Sequence, residues 1–121
     1  MKKLILLVGL IFSTHSYSTT GNELQELLTS NNDADNLTGF MFIQAVNDTL
    51  VLSRYMEIEN AKEMKRKPNL QHHLCVPKKY IYQQPFDIVK NYLDAHPAHR
   101  NQTAAGLVMM ALLEAWPCEG K

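Results

Sequence analysis

Two cysteines, and only two, occur in the 121-residue chain, and they bracket the 44-residue stretch from Cys75-Val76-Pro77 to Trp116-Pro117-Cys118. Two segments of helical periodicity lie between them, so a bond between the sulfurs closes a helical hairpin. Such a bond persists where the compartment is oxidising. The N-terminus points to that compartment independently. Lys2 and Lys3 precede an apolar run from Leu4 to Phe12, and Ser16-Tyr17-Ser18 supplies small residues around a cleavage point. That is the layout of a secretory signal peptide over residues 1–18, cleaved after Ser18. The run is well short of the roughly 20 apolar residues that span a bilayer, and no second long apolar stretch follows.

Cleavage leaves 103 residues, 19–121, enough for one domain with a single core. It also removes two of the twelve basic residues, leaving ten against twelve acidic ones and a net charge of −2. That balance gives no global attraction to nucleic acid or acidic membrane. In a chain this small the staple matters: closing a loop of that length contributes about 3 to 4 kcal/mol in the chain-entropy model.

Periodicity sets the elements. Asn22 to Leu28 reads as a short first helix with Leu24, Leu27 and Leu28 at i, i+3 and i+4, capped at Asn22 and ended by Asn31-Asn32-Asp33. A second helix is expected from Asn36 into the fifties, with Leu37, Phe40, Met41, Ile43, Val46, Leu50 and Val51 as its apolar stripe. Thr49 to Tyr55 also has strand-like composition, but it alternates poorly, which favours helix. The charged segment from Glu57 to Lys67 ends that helix and passes into an exposed loop at Pro68-Asn69. Pro85 suits the first turn of a third helix bearing Phe86, Val89, Tyr92 and Leu93 on one side, broken at His96-Pro97. Ala104, Leu107, Val108, Ala111, Leu112 and Ala115 then mark the clearest helix in the chain, ended by Pro117. The expected fold is a small all-α, single-domain helical bundle of four or five helices with one disulfide, Cys75 to Cys118. Asn-x-Thr sequons stand at Asn36, Asn47 and Asn101; Asn36 and Asn101 fall where helices are expected to begin and read as caps.

Catalytic and metal-binding patterns find little support. His72-His73 near Cys75, and His96 with His99, are the ligand-like spacings, yet zinc needs three or four converging ligands. A disulfide-bonded Cys75 offers no thiolate. The same argument removes Cys75 and His73 as a nucleophile pair, and no serine elbow, glycine-rich phosphate loop or paired-carboxylate motif is present. No enzyme activity, metal or cofactor is expected.

In its C-terminal half the chain resembles the Rap/Tai immunity proteins of type VI secretion. The resemblance is carried by Cys75-x-Pro77, Gln84, Val89-x-x-Tyr92-Leu93-x-x-His96-Pro97, and Ala104, Leu107-Val108, Ala111-Leu112 and Ala115-x-Pro117-Cys118. Upstream, Phe40-Met41-Phe42-Ile43-Gln44-Ala45-Val46-Asn47-Asp48 stands where relatives have a helix resembling Tyr-Ile-x-Gly-Val-x-Asp, with Ala45 in place of the small Gly. Relatives often carry a further cysteine pair in the N-terminal half, where this chain has residues such as Leu28 and Leu37, so apolar packing is expected to replace that brace. The resemblance implies a periplasmic protein, often a homodimer, that binds and neutralises a secreted peptidoglycan-degrading effector of the amidase class by occluding its active site. The motif marks how the domain is held together, which places the contact surface elsewhere. Exposed loops commonly carry function, and the expected partner-binding surface is Lys62, Lys65, Arg66 and Lys67 with His72. The competing expectation is a periplasmic helical stress or holdase-like protein, drawn from the same stapled build and the five titratable histidines.

Overall fold

The computed structural model describes residues 18–118, and the expected signal segment therefore lies outside the described residues apart from Ser18. Four α-helices follow in order, α1 (Gly21–Thr29), α2 (Asp33–Glu63), α3 (Gln83–Ala95) and α4 (Ala104–Ala115), with a 3-10 turn at Pro97–His99 before α4. The all-α expectation holds, and the described residues contain only two isolated β-bridges, Thr20 with Thr103 and Leu74 with Pro117.

The helix starts differ from those expected because other residues hold the caps, further upstream for α1 and α2 and two residues downstream for α4. Thr20, not Asn22, begins α1: its hydroxyl accepts from the Glu23 amide at 3.3 Å while the Glu23 carboxylate accepts from the Thr20 amide at 2.6 Å. This reciprocal capping box satisfies two backbone donors at once. Asn32 does not end α1 but caps α2, accepting from the Ala34 amide at 2.8 Å, and Asp33 and Asp35 in the first turn complement the positive end of the helix dipole. Asn36 lies inside that first turn and donates to the Ser30 and Asn32 carbonyls. Asn101 is not a cap either; Thr103 occupies that position before α4. Asn47, the remaining sequon residue, is fully buried.

The region from Thr49 to Tyr55 is helical, and α2 runs for 31 residues without interruption, about 46 Å at 1.5 Å per residue. Its buried face is Gly39, Ile43, Asn47 and Ala61, which is narrower than the expected stripe. Ile43 belongs to it, and Phe42, Val46 and Leu50 pack partly against the core. Leu37, Met41 and Val51 point outward instead. Apolar residues lie on more than one side of α2, so periodicity alone does not choose the inner side.

The core gathers Leu24 and Leu28 of α1, Ile43 of α2, Val89, Tyr92 and Leu93 of α3, and Ala104, Leu107, Val108, Ala111 and Leu112 of α4, with Leu74 from the loop. Ala115, expected on the apolar side of α4, is exposed at the last turn. Where apolar packing was expected in place of a cysteine brace, Leu28 packs on Gly39, whose absent side chain lets the two helices close: a Cβ there would stand 2.7 Å from Leu28 Cδ2. Leu37 takes no part in this, being 57% exposed. Gly21 is required for a second close approach. A Cβ there would lie 2.9 Å from the Arg100 carbonyl oxygen, while the amides of Gly21 and Asn22 donate to the Gln102 and Arg100 carbonyls. The start of α1 is thereby clamped to the turn before α4.

His96-Pro97 ends α3 as expected. The His96 amide donates to Tyr92 O at 3.0 Å, and Arg100 folds back to donate from Nε to Leu93 O at 2.7 Å. Cys75 and Cys118 form the disulfide. It is reinforced by paired backbone bonds, Cys75 N to Trp116 O at 2.9 Å and Cys118 N to His73 O at 3.2 Å. Oxidised in this way, Cys75 is not a thiolate. No helix of the described residues is long and apolar enough to cross a membrane.

Candidate functional site

The basic residues after α2 are organised by the way that helix stops. Met64 is the C-cap, the Lys65 amide donates to Lys62 O at 3.1 Å, and the Arg66 amide reaches back to Ala61 O at 2.9 Å. These two bonds are those of a Schellman motif, whose reversing residue adopts the left-handed conformation and is usually glycine. Here it is Lys65, with φ at 51°. The second turn, from Leu70 to His73, closes with the His73 amide donating to Leu70 O at 3.0 Å and holds His72 at φ 66°. Lys65 and His72 are the non-glycine residues with positive φ among the described residues, and both belong to the expected partner-binding set.

A single carboxylate ties this segment down. Glu57 accepts from Arg66 Nη1 at 2.7 Å and Nη2 at 3.1 Å, and from the Asn69 amide at 2.7 Å. The Arg66 bond and then the Asn69 amide, with the guanidinium charge adding to them, hold the Glu57 carboxyl down to about 2, well below its usual 4.5. Two donors stabilise its ionised form more than desolvation penalises it.

The five expected residues therefore divide. Arg66 is committed to Glu57, and Lys62 to Glu59 at 2.6 Å; contact with Glu59 raises the pKa of Lys62. Lys65, Lys67 and His72 stand exposed, as does Met64 at 63%, and take no part in an ion pair among the described residues. The chain order alone shows a run of cations. That Glu57, nine residues upstream, faces Arg66 follows only from the helix ending at Glu63 and turning back.

His96 and His99 do different work. His96 stacks on Tyr92, ring centroids 4.2 Å apart, and on His99 at 5.6 Å, while His96 Nδ1 lies 2.8 Å from Tyr92 O. Among the described residues no group of three or more His, Cys, Asp or Glu side chains converges as a metal site would require. The groove between α2 and α4 is apolar, lined by Phe42, Val46, Leu50 and Met109 with Thr49. A second recess beside α1 gathers Glu23, Glu26 and Asp35. What the geometry offers is a braced cationic turn on the surface and a disulfide-held loop on its C-terminal side.

In comparison with known families, the model of the Rap1a immunity proteins matches residues 20–118. No curated protein and no solved structure matches the chain.

Proposed function

The chain belongs to the Rap1a immunity protein family, matched from the α1 capping residue through the second cysteine, and from that premise we propose that it protects its cell from a type VI effector. The effector is a peptidoglycan-degrading enzyme of the amidase class, and the chain acts in the periplasm as a binding protein rather than a catalyst. Inhibition is steric: a surface turn of the immunity protein seats over the effector's cleft and keeps its substrate out. The family match carries this reading. The Cys75–Cys118 disulfide supports the oxidising compartment, and residues 1–18 are proposed as the signal that takes the chain there.

The contact surface is proposed to include Lys62, Lys65, Arg66, Lys67 and His72. Within it Lys65 and Lys67 make the charged contacts with His72 beside them in the polar surface, Arg66 holds the turn through Glu57, and Lys62 is paired with Glu59 along α2. Support comes from two non-glycine residues kept in left-handed conformations, a kind of local strain that concentrates at functional sites. The protein is further proposed to act as a homodimer.

The test is protection. The open reading frame adjoining this chain's gene is expected to encode that hydrolase: cells that export its product into their own periplasm should lyse, and co-expression of the full chain should prevent lysis. The purified oxidised chain should also suppress that hydrolase's cleavage of peptidoglycan. Lysis unrelieved by the chain, together with no inhibition in vitro, would sink the proposal.

A further inference from the structure

The two most exposed large apolar side chains among the described residues are neighbours: Tyr82 at 69% and Ile81 at 64%. They sit on the loop between Cys75 and α3, which is braced at both ends. The disulfide, the Leu74–Pro117 bridge and the two backbone bonds across it fix the loop's base. Tyr80 turns inward and meets Trp116 edge-on with centroids 5.8 Å apart, and Tyr82 lies against Tyr80 at 6.2 Å. At the far end the Ile81 amide donates to Gln84 Oε1 at 2.9 Å while the Gln84 amide donates to Ile81 O at 3.0 Å. Tyr80 is thus the structural aromatic, and Ile81 and Tyr82 stand out in water on a backbone that is hydrogen-bonded to Gln84 and anchored by the disulfide.

Adjacent exposed apolar side chains on a rigid loop mark an interaction site more than a solvated one. Aromatic anchors entering a pocket dominate interface energies, and a preformed loop binds without the entropic cost of being ordered. Lys78 and Lys79 precede the pair, are exposed, and form no ion pair among the described residues. We propose that Ile81 and Tyr82 are the apolar anchor that this protein inserts into its effector, and that the receiving surface is an apolar slot with an acidic rim facing Lys78 and Lys79. The proposal rests on the immunity reading and adds to it the part of the chain that enters the partner. It also gives the disulfide a second consequence, since the bond that staples the hairpin sets the posture of the anchor.

The deciding experiment titrates the full mature oxidised chain with the purified hydrolase from the adjoining open reading frame, by calorimetry at low and high salt. The Ile81→Ser/Tyr82→Ala variant should bind at least ~100-fold more weakly while keeping its thermal midpoint and its disulfide. The Lys78→Glu/Lys79→Glu variant should lose most of the salt dependence of association. If the parent chain binds and the Ile81/Tyr82 variant stays within ~3-fold of it, the anchor is refuted and the immunity reading stands. A parent chain that does not bind this hydrolase overturns both. Loss of self-association with unchanged hydrolase affinity also refutes the anchor, because the loop then serves the dimer. Should the Ile81/Tyr82 variant fail to fold, the lysine pair decides: unchanged affinity and unchanged salt dependence refute the proposal.

Discussion

Lys65 stands where a helix C-terminus most favours glycine, and the left-handed conformation costs an L-residue roughly 1 to 2 kcal/mol. Lys65→Gly removes that strain and gives back part of the gain through a looser unfolded chain. Thermal or urea unfolding should therefore show a net stabilisation of about 0.5 to 1 kcal/mol, whereas a mutation that left stability lower would contradict the Schellman reading. If Lys65 also touches the effector, the same variant binds less tightly while being more stable, which separates the two roles. Glu57 makes the opposite kind of statement. Its folded pKa, about 2, lies below the usual 4.5, so its contribution to stability is fully present above about 4.5 and is lost as pH falls toward 2. An NMR titration of the Glu57 carboxyl should find its midpoint near about 2. In Arg66→Ala, which removes the largest cause, the midpoint should rise but remain below 4.5, because the Asn69 amide still donates. A midpoint unmoved by that substitution would mean that Arg66 does not hold the turn.

The elements differ in how plainly the sequence announces them, and the reasons are physical. In α4 the apolar residues at three- and four-residue spacings are the buried ones through Leu112, because that helix is covered by its neighbours; Ala115 escapes only because the last turn runs past the core. In α2, Leu37, Met41 and Val51 look like core yet face out, and the true inner face passes through Gly39 and Asn47, which no hydropathy pattern selects. Caps were misplaced at Asn22, Asn36 and Asn101 since asparagine favours first turns and loops as well as caps, and only geometry distinguishes them. The basic turn was visible as a run of cations, but its division into Arg66 and Lys62 on one hand and Lys65, Lys67 and His72 on the other depends on contacts with α2. The loop at Ile81 and Tyr82 gave no signal, as exposure of apolar residues is invisible to a pattern that assumes burial. The staple itself was fully legible. Its contribution follows from a separation of 43 residues: Cys75→Ser/Cys118→Ser should lose about 4 kcal/mol in the chain-entropy model, measured by urea unfolding under matched conditions. A loss below about 1 kcal/mol would show that the reduced chain keeps the hairpin closed without it.

At the scale of the whole molecule, α2 is too long for the bundle it serves. The helix buries Gly39, Ile43 and Asn47 in its first half, but beyond Asn47 its one fully buried residue is Ala61. Along the outside, Leu37, Met41, Leu52, Tyr55 and Met56 are each more than half exposed, interrupted by the hydrogen-bonded pair Gln44 and Asp48 at 2.9 Å. A second copy of the chain is the partner proposed for this face, because two such helices side by side would remove the outward apolar residues from water at about 25 cal/mol per Å² of apolar surface. The paired Gln44 and Asp48 would then lie near the middle of the contact, where polar groups fix register more than they add affinity. Sedimentation equilibrium on the mature oxidised chain should therefore return a dimer. Leu52→Glu with Tyr55→Glu should return a monomer with an unchanged helical circular dichroism spectrum, since these side chains are already largely exposed and support no core contact in the single chain. Because the proposed anchor at Ile81 and Tyr82 lies on a different element, that monomer should still bind the hydrolase; a monomeric parent chain, or a double variant that remains dimeric, would remove α2 as the dimer surface.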